Sequence, residues 1–313
     1  MEKLSIIVSV YNERDGIKAF FKSTKEVLEG LCDRFSYELI FVNDGSTDGS
    51  GEILKEFVTE DREHVRLIEF SKNFGHEAAM TAGLDYALGD ILIFLDADLQ
   101  HPPHLIPEIV RRMEAGADII NMVRTKNKTA GLIKNITSGG FYALINKVSD
   151  IRLEPSASDF FAIKKQVADV LRKNYREKVR FLRGYVQNVG FNKDTISFEA
   201  PERVAGKSHY SIKKLFRFSI DTILCFSNMP LKLGIYAGLF SGFLGILLII
   251  YTLFTRQGAP SGYATIIIVL CFMFAMLFVI LGIIGEYIAI LFAELKDRPI
   301  YIVKDIMGGK DIC

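Results

Sequence analysis

Two long uncharged apolar runs near the C-terminal end limit most strongly what this chain can fold into. Leu233–Phe254 and Ala264–Gly285 each contain 22 residues without a charged side chain, and the second run continues past Glu286 to Phe292. A helix needs about 18–20 apolar residues to cross a bilayer. The alternative, a pair of buried core helices, would need a core far larger than 313 residues can enclose. The sequence therefore predicts two transmembrane helices, at about 233–254 and 264–290.

The charges around these runs indicate a membrane topology. The segment between them, 255–263, contains Gly258, Pro260 and Gly262, which favours a hairpin turn, and carries one basic residue, Arg256. The outer flanks are more basic, with Lys213, Lys214, Arg217 and Lys232 on one side and Lys296, Arg298 and Lys304 on the other. Because cytoplasmic flanks are enriched in Lys and Arg, we expect a multi-pass protein of the inner (plasma) membrane. Its large N-terminal domain and both termini would be cytoplasmic.

The rest of the chain divides around this hairpin. Ser211–Asn228 has helical periodicity with basic residues on one face, as expected for an amphipathic helix at the membrane surface. A solvated helix packed on the N-terminal domain is the alternative. We therefore predict a cytoplasmic globular domain (1–209), a juxtamembrane amphipathic helix (210–231), the membrane hairpin (232–293) and a cytoplasmic C-terminal tail (294–313).

The N-terminal part alternates between short β-rich runs and helix-like stretches. The predicted strands are Leu4–Val10, Leu39–Asn43, Val65–Phe70, Ile91–Leu95 and Ile119–Val123, and the predicted helices are Ile17–Leu31, Gly51–Thr59, Glu77–Leu88 and Pro103–Ala115. Such alternation predicts an open, mostly parallel α/β sheet. Ligands of such sheets bind beyond the carboxyl ends of the strands. The residues that directly follow each strand are therefore the candidates for function.

Acidic residues follow three of these strands. Glu13 comes after the first strand, Asp44 and Asp48 after the second, and Asp96 and Asp98 after the fourth. Clustered carboxylates repel each other unless a cation neutralises them, and Mg²⁺ or Mn²⁺ suits such oxygen ligands. A DxD pair at the end of a buried strand can hold such an ion together with a diphosphate. For Asp44 and Asp48 the alternative is a role in turns and helix capping.

Several other functions are disfavoured. The net charge is +1, whereas a generic nucleic-acid binder carries a basic excess. The four cysteines have no paired spacing, so neither a disulfide framework nor a zinc site is predicted. No GxGxxG follows a strand, and Gly206-Lys207-Ser208 lacks the first glycine of a P-loop. The histidines, among them His76 and His101, lack metal-ligand spacing and are interpreted as surface or hydrogen-bonded side chains.

Motifs along the chain resemble those of the inverting family 2 glycosyltransferases. They are Val8-x-x-Tyr11-Asn12-Glu13, Val42-Asn43-Asp44-Gly45-Ser46-Thr47-Asp48, Asp96-Ala97-Asp98-Leu99-Gln100-His101-Pro102-Pro103, Ser158-Asp159-Phe160, Phe181-Leu182-Arg183-Gly184-Tyr185, Arg203-x-x-Gly206-Lys207-Ser208-x-Tyr210 and, in the tail, Gly285-Glu286-Tyr287, Glu294, Arg298-Pro299 and Tyr301. More narrowly, they resemble the polyprenyl-phosphate glycosyltransferases of the dolichol-phosphate mannose synthase and bactoprenol glucosyltransferase type. The resemblance covers essentially the whole chain. Two positions depart from the pattern: Ser156-Ala157-Ser158 precedes Asp159 where a glycine is frequent, and His209 stands where lysine is common.

The resemblance implies a GT-A fold, a nucleotide-sugar donor and a polyprenyl-phosphate acceptor. Carried over by position, several sets of residues would form the site. They are Tyr11, Glu13, Asp44 and Asp96 for the nucleotide sugar; Asp96, Asp98 and Gln100 for Mg²⁺ or Mn²⁺; Arg124, Arg183, Arg203 and Lys207 for the phosphates and the acceptor; and Asp98 and Asp159 as catalytic residues. A plain surface charge is the alternative for Arg183, Arg203 and Lys207.

The implied reaction is an in-line displacement at the anomeric carbon, in which the lipid phosphate attacks and a nucleoside diphosphate leaves. Asp159 occupies the position usually proposed for the general base. A phosphate monoester has its second pKa near ~6 and is mostly dianionic at neutral pH. We therefore expect Asp159 chiefly to position the acceptor or the metal. The product would be a lipid-linked sugar donor for cell-envelope glycosylation.

Three rival functions remain open at this point. A processive polysaccharide synthase would carry a QxxRW motif, which this chain cannot have because it contains no Trp. A non-catalytic membrane scaffold that binds nucleotide or lipid is disfavoured by the presence of Asp44, Asp96, Asp98 and Asp159. A flippase would need more than two spans, unless copies of the chain associate as a homo-oligomer. The sugar is not identified, although similarity to the bacterial members favours a UDP-sugar.

Overall fold

A computed structural model describes residues 1–125, 154, 157–178, 180–199, 201, 229–254 and 262–309. The chain forms two compact units. The first contains the described residues up to 201 together with those from 299 onward, and the second contains the helices between 229 and 298. The predicted amphipathic helix (210–231) lies almost entirely outside the described residues, as do Arg203 and Lys207.

The first unit is built on a mixed, mostly parallel sheet. Its strands are β1 (Glu2–Val10), β2 (Phe35–Asn43), β3 (Val65–Phe70), β4 (Ile91–Asp96), β5 (Ile119–Arg124), β6 (Ala157–Lys164), β7 (Lys193–Phe198) and β8 (Val303–Gly308), in the spatial order β7-β5-β6-β4-β1-β2-β3-β8. The pairs β1–β2, β2–β3, β1–β4 and β5–β7 are parallel, whereas β6 is antiparallel to both β4 and β5, and β8 is antiparallel to β3. The predicted α/β sheet is confirmed, and the first five strands lie where the sequence placed them.

The helices of this unit pack on the sheet through apolar faces. They are α1 (Ile17–Glu29), α2 (Ser50–Glu60), α3 (His76–Tyr86), a 3₁₀ turn at Pro103–Leu105, α4 (Ile106–Glu114), α5 (Lys165–Asn174) and α6 (Leu182–Asn188). In α1 the buried residues Ile17, Phe20, Phe21, Thr24 and Leu28 recur at helical spacing, which places one face against the core. Phe20 and Phe21 there contact Phe41 of β2.

The strand order creates a crevice at the point where the site lies. From β1 the chain proceeds to β2 and β3 on one side and then returns to β4 on the other side of β1. At such a topological switch point the connections leave the sheet in opposite directions, and ligands bind beyond the carboxyl ends of the two strands. Ser9 of β1 is the register partner of Asp96 of β4. The DxD pair therefore emerges directly at this crevice.

The C-terminal segment returns to the same sheet. We predicted 294–313 only as a tail after the second span, but β8 pairs with β3, and the Ser71 amide donates to the Ile302 carbonyl at 3.0 Å. Tyr301 stacks on Phe70 with ring centroids 5.2 Å apart, and its hydroxyl donates to Asp85 at 2.7 Å. No sequence pattern marks this short edge strand, because half-exposed antiparallel edges need no continuous apolar run.

The second unit consists of two apolar helices, α7 (Met229–Phe254) and α8 (Tyr263–Leu295). Gly234 of α7 faces Ile280 of α8. Within the described residues, Phe272–Leu295 is long and apolar enough to cross a membrane, and Gly234–Leu247 is a shorter apolar segment. Both predicted spans, 233–254 and 264–290, fall inside these helices.

Candidate active site

The DxD segment begins at the last residue of β4. The Ser9 hydroxyl oxygen lies 3.3 Å from Asp96 Oδ1. Leu99 has a left-handed backbone (φ 60°), which is costly for a bulky residue. This reversal allows the Gln100 amide to donate to Asp98 Oδ1 at 3.0 Å. Asp96 and Asp98 are thereby held on a short turn at the crevice, and the Asp96 side chain is 30% exposed.

Arg124, at the end of β5, is attached to this turn. It donates to Gln100 Oε1 at 3.3 Å, and its Nη2 lies 3.2 Å from His101 Nε2. His101 is fully buried, stacks on Phe160, and has its Nδ1 3.5 Å from Asp96 Oδ2. Burial lowers the pKa of His101, Asp96 raises it and Arg124 lowers it, and the net shift is downward. The Asp96 amide donates to His101 Nδ1 at 3.0 Å, so a neutral His101 carries its ring proton on Nε2 and does not accept from Arg124. His101 therefore lies between the DxD turn and the Arg124 guanidinium, in contact with both.

The first residues of β6 reach the same edge because this strand runs antiparallel to β4. Asp159 Oδ1 lies 3.2 Å from Arg183 Nη1, and that guanidinium also donates to the Ala157 carbonyl at 2.8 Å. Burial raises the pKa of the Asp159 carboxyl, but Arg183 and then His76 outweigh it, so the pKa is lowered. Asp159 is therefore a carboxylate at neutral pH and a weak base.

His76 and Glu77 begin α3 beside this pair. The His76 Nε2 atom lies 3.8 Å from Asp96 Oδ1 and 3.8 Å from Asp159 Oδ2. Glu77 Oε2 accepts a hydrogen bond from the Leu182 amide at 2.8 Å, at the start of the helix that carries Arg183. Burial, followed by the charge of Asp159, raises the pKa of Glu77 to about 7.

The residues predicted for the nucleoside occupy the other side of the crevice. Tyr11 is 44% exposed, and the Glu13 amide donates to Ser50 Oγ at 3.0 Å. Asp44 is buried, and its carboxylate accepts from Asn73 Nδ2 (2.9 Å) and from the amides of residues 74 (2.6 Å) and 75 (2.9 Å). Asp44 therefore shapes the loop that leads from β3 into α3.

Asp48 serves the capping role that the sequence left open. Its Oδ1 accepts from the Ser50 amide at 2.9 Å and from the Ser50 hydroxyl at 2.6 Å, and its Oδ2 accepts from the Arg14 amide at 3.1 Å. Anionic side chains are favourable at a helix N-terminus. Asp48 thus stabilises the start of α2.

The structure brings together most of the predicted site residues. Asp96, Asp98, Gln100, Arg124, Asp159 and Arg183 converge on the crevice. Sequence reasoning missed two members, His76 and His101. Their positions offered a weak signal: His101 follows the DxDxQ run directly, and His76 follows the carboxyl end of a strand.

The donor set at the crevice fits a divalent ion shared with a diphosphate. In the part of the chain that the structure describes, no three Asp, Glu, His or Cys side chains form a group that could hold a metal by themselves. Mg²⁺ sites commonly use one or two carboxylates, with substrate phosphates and waters completing the octahedron. Asp96 and Asp98 match that pattern, whereas the Gln100 amide oxygen already accepts from Arg124.

Comparisons with known proteins identify the family. The family "Glycosyl transferase family 2" matches residues 5–171, and "GtrB C-terminal hairpin" matches residues 229–291. The glycosyltransferase YkcC of Bacillus subtilis (strain 168) is 40% identical, over 97% of this chain and 94% of that protein. Bactoprenol glucosyl transferases of Shigella phages SfII and SfV are 36% and 35% identical, over 98% and 97% of this chain and 99% and 98% of those proteins.

The resemblance inferred from the motifs is thus confirmed, together with the GT-A fold and the assignment as an enzyme. The first match includes most of β1, strands β2 to β6 and the DxD turn, and the second match coincides with α7 and most of α8. The chain belongs to the family 2 glycosyltransferases and carries the C-terminal hairpin of the GtrB type.

Proposed function

We propose that this enzyme transfers one sugar from a nucleotide sugar to polyprenyl phosphate, with inversion at the anomeric carbon. The observation that carries the proposal is the pairing of an acidic crevice with a GtrB-type hairpin in one chain. Bactoprenol glucosyl transferases of phages SfII and SfV resemble the chain over nearly its whole length, which supports undecaprenyl phosphate as acceptor. Those names favour glucose as the sugar, and we propose UDP-glucose as the donor.

The donor would bind with its diphosphate at the DxD turn. Asp96 and Asp98 would hold Mg²⁺ or Mn²⁺, an ion that neutralises charge on the departing nucleoside diphosphate. Arg124, which donates to Gln100 and contacts His101, lies where a guanidinium can contact a phosphate. Tyr11 and Glu13 would line the nucleoside, and Asp44 would act by holding the loop 73–75. Preorganised charge of this kind lowers the barrier without rearrangement during the reaction.

The acceptor would bind on the Asp159 side. The lipid phosphate oxygen forms the new bond to the anomeric carbon while the bond from that carbon to the diphosphate oxygen breaks. The phosphate is mostly dianionic at neutral pH, since its second pKa is about 6, so it needs no strong base. Asp159, paired with Arg183, would orient the acceptor, and Arg183 would offer its positive charge to the phosphate.

The hairpin would keep the enzyme at the bilayer that contains its substrate. We propose that α7 and α8 both span the membrane with both termini cytoplasmic, as the basic flanks favour. The proposed division remains a catalytic domain (1–209), an interfacial helix (210–231), the hairpin (232–293) and a C-terminal segment (294–313) that includes β8. Arg203 and Lys207 would add basic charge near the acceptor.

A turnover assay tests this function. Purified full-length protein in detergent receives Mn²⁺ or Mg²⁺, undecaprenyl phosphate and a panel of UDP- and GDP-sugars, and the lipid product is identified by mass spectrometry. We expect one glycosyl phosphoryl lipid, lost in Asp98→Asn and retained in the matched control Asp169→Asn on the exposed side of α5. Nucleotide release without a lipid product would exclude the polyprenyl acceptor. No reaction with any donor in folded protein would favour a binding or scaffold role.

A further inference from the structure

His76 lies between the two halves of the proposed site. Its Nδ1 atom is 2.9 Å from Ser9 Oγ, and its Nε2 atom is 3.8 Å from both Asp96 Oδ1 and Asp159 Oδ2. Asp96 belongs to the donor side, and Asp159 to the acceptor side. One imidazole nitrogen is therefore equidistant from a carboxylate of each.

The single proton of the Ser9 hydroxyl can point to His76 Nδ1, at 2.9 Å, or to Asp96 Oδ1, at 3.3 Å. When it points to the nearer Nδ1, a neutral ring carries its own proton on Nε2. An unprotonated Nε2 would point its lone pair at two carboxylates, which is repulsive, whereas an N–H there faces two acceptors. At 3.8 Å neither carboxylate forms a full hydrogen bond, and among the described residues His76 Nε2 is an enclosed atom without a hydrogen-bond partner. Asp159 Oδ1, also enclosed, has an ion pair with Arg183 but no well-aligned hydrogen bond in that part of the chain.

We propose that His76 is a positioning residue that couples the donor side to the acceptor side. Its Nε2–H faces Asp96 and Asp159 at equal distances. With Asp96 bound to a divalent ion, the His76 N–H would be left to Asp159 alone and would orient that carboxylate for the incoming phosphate. This inference rests on the proposed function, because it assigns the two carboxylates to donor and acceptor.

The coupling has a consequence that a merely structural histidine would not have. In the free enzyme His76 and the ion compete for the charge of Asp96. Removing the Nε2–H should therefore tighten metal binding while it weakens turnover. A packing defect would weaken both metal binding and turnover, or would leave both unchanged.

Two substitutions of His76 by amide residues distinguish the roles of its two ring nitrogens. The amide nitrogen of Gln reaches roughly the position of Nε2, whereas that of Asn reaches only that of Nδ1. His76→Gln and His76→Asn are therefore a matched pair that keeps a polar side chain at the site. Calorimetry with UDP and Mn²⁺ gives the ion's affinity without any acceptor, and turnover of UDP-glucose with undecaprenyl phosphate gives kcat and KM.

We expect His76→Asn to bind Mn²⁺ about five-fold more tightly in the presence of UDP, the equivalent of a partly exposed charge interaction of about 1 kcal/mol. Its kcat should fall at least about ten-fold, since small misplacements at a reacting centre are costly, with little change in the KM for UDP-glucose. His76→Gln should stay close to the wild type on both measures. Equal behaviour of the two variants, or unchanged Mn²⁺ affinity in His76→Asn, would overturn the proposal.

Two further comparisons keep the test decisive. If His76→Asn does not fold, as judged by circular dichroism, Ser9→Ala replaces it, since it frees the ring at Nδ1. Unchanged Mn²⁺ binding and kcat in that variant would then refute the coupling. If the wild type makes no lipid product with any donor, the proposed function fails, and the Mn²⁺ affinities alone decide on the contact between His76 and Asp96.

Discussion

Glu77 offers a test of stability that depends on the protonation of a single carboxyl group. Its side chain is partly buried, accepts a hydrogen bond from the Leu182 amide at 2.8 Å and lies near the charge of Asp159. Burial and that charge raise the pKa of Glu77 from 4.5 to about 7. In the folded state the group therefore keeps its proton over a pH range in which the unfolded chain has lost it.

The sign of the effect follows from proton counting. Between pH 4.5 and about 7 the folded state binds one more proton at Glu77 than the unfolded state, so the free energy of unfolding falls as the pH rises. The shift corresponds to an upper value of about 3 kcal/mol, fully lost above pH 7. Glu77→Gln removes the charge but keeps an oxygen that can accept from Leu182. The variant should match the wild type near pH 5 and exceed its stability at pH 8.5.

The measurement is the thermal midpoint by far-ultraviolet circular dichroism in detergent, at pH values from 5 to 8.5, because the chain has no Trp for fluorescence. A gain of up to about 3 kcal/mol corresponds to roughly 5–10 °C for a domain of this size. Glu26→Gln, an exposed position on α1, is the control and should leave the pH dependence unchanged. If Glu77→Gln is less stable than the wild type at pH 8.5, or shows the same pH slope, the assignment of a buried proton to Glu77 is wrong.

Three other substitutions test separate parts of the structure. Asp44→Asn should destabilise the protein by about 2–4 kcal/mol, because an amide hydrogen would face the donors of loop 73–75; a thermal midpoint equal to that of the wild type would contradict this. Asp159→Asn at pH 8 should lower turnover by less than about 100-fold, the smallest usual contribution of a general base. Abolished turnover with intact donor and lipid binding would instead indicate a base. Tyr301→Phe should cost about 1 kcal/mol through the lost hydrogen bond to Asp85, measured by thermal unfolding, whereas Tyr301→Ala should cost more since it also removes the stacking on Phe70.

The local patterns of this chain are strong enough to predict much of its fold. Apolar runs such as Ile91–Leu95 are confirmed as buried strands, since a strand covered on both faces has to be apolar throughout. The two long apolar runs are likewise confirmed as helices, α7 and α8. The DxD turn was predictable as well, because it follows directly from the end of a strand.

Other features required the tertiary structure. The antiparallel strand β6 brings Asp159 to the DxD edge from more than 60 residues away, and no local pattern records which strands pair. His76 and His101 acquire their roles only from what surrounds them, namely Asp96, Asp159 and Arg124.

One physical reason explains why some features can be predicted from the sequence and others require the tertiary structure. Periodicity and composition reflect whether a residue is buried, which each segment determines for itself through its contact with water. A site depends instead on distances between charges that come from separate strands, and those distances are fixed only when the sheet order is fixed. The sequence thus determined the sheet, the hairpin and the acidic turn, whereas the tertiary structure decided which histidines and carboxylates meet at the crevice.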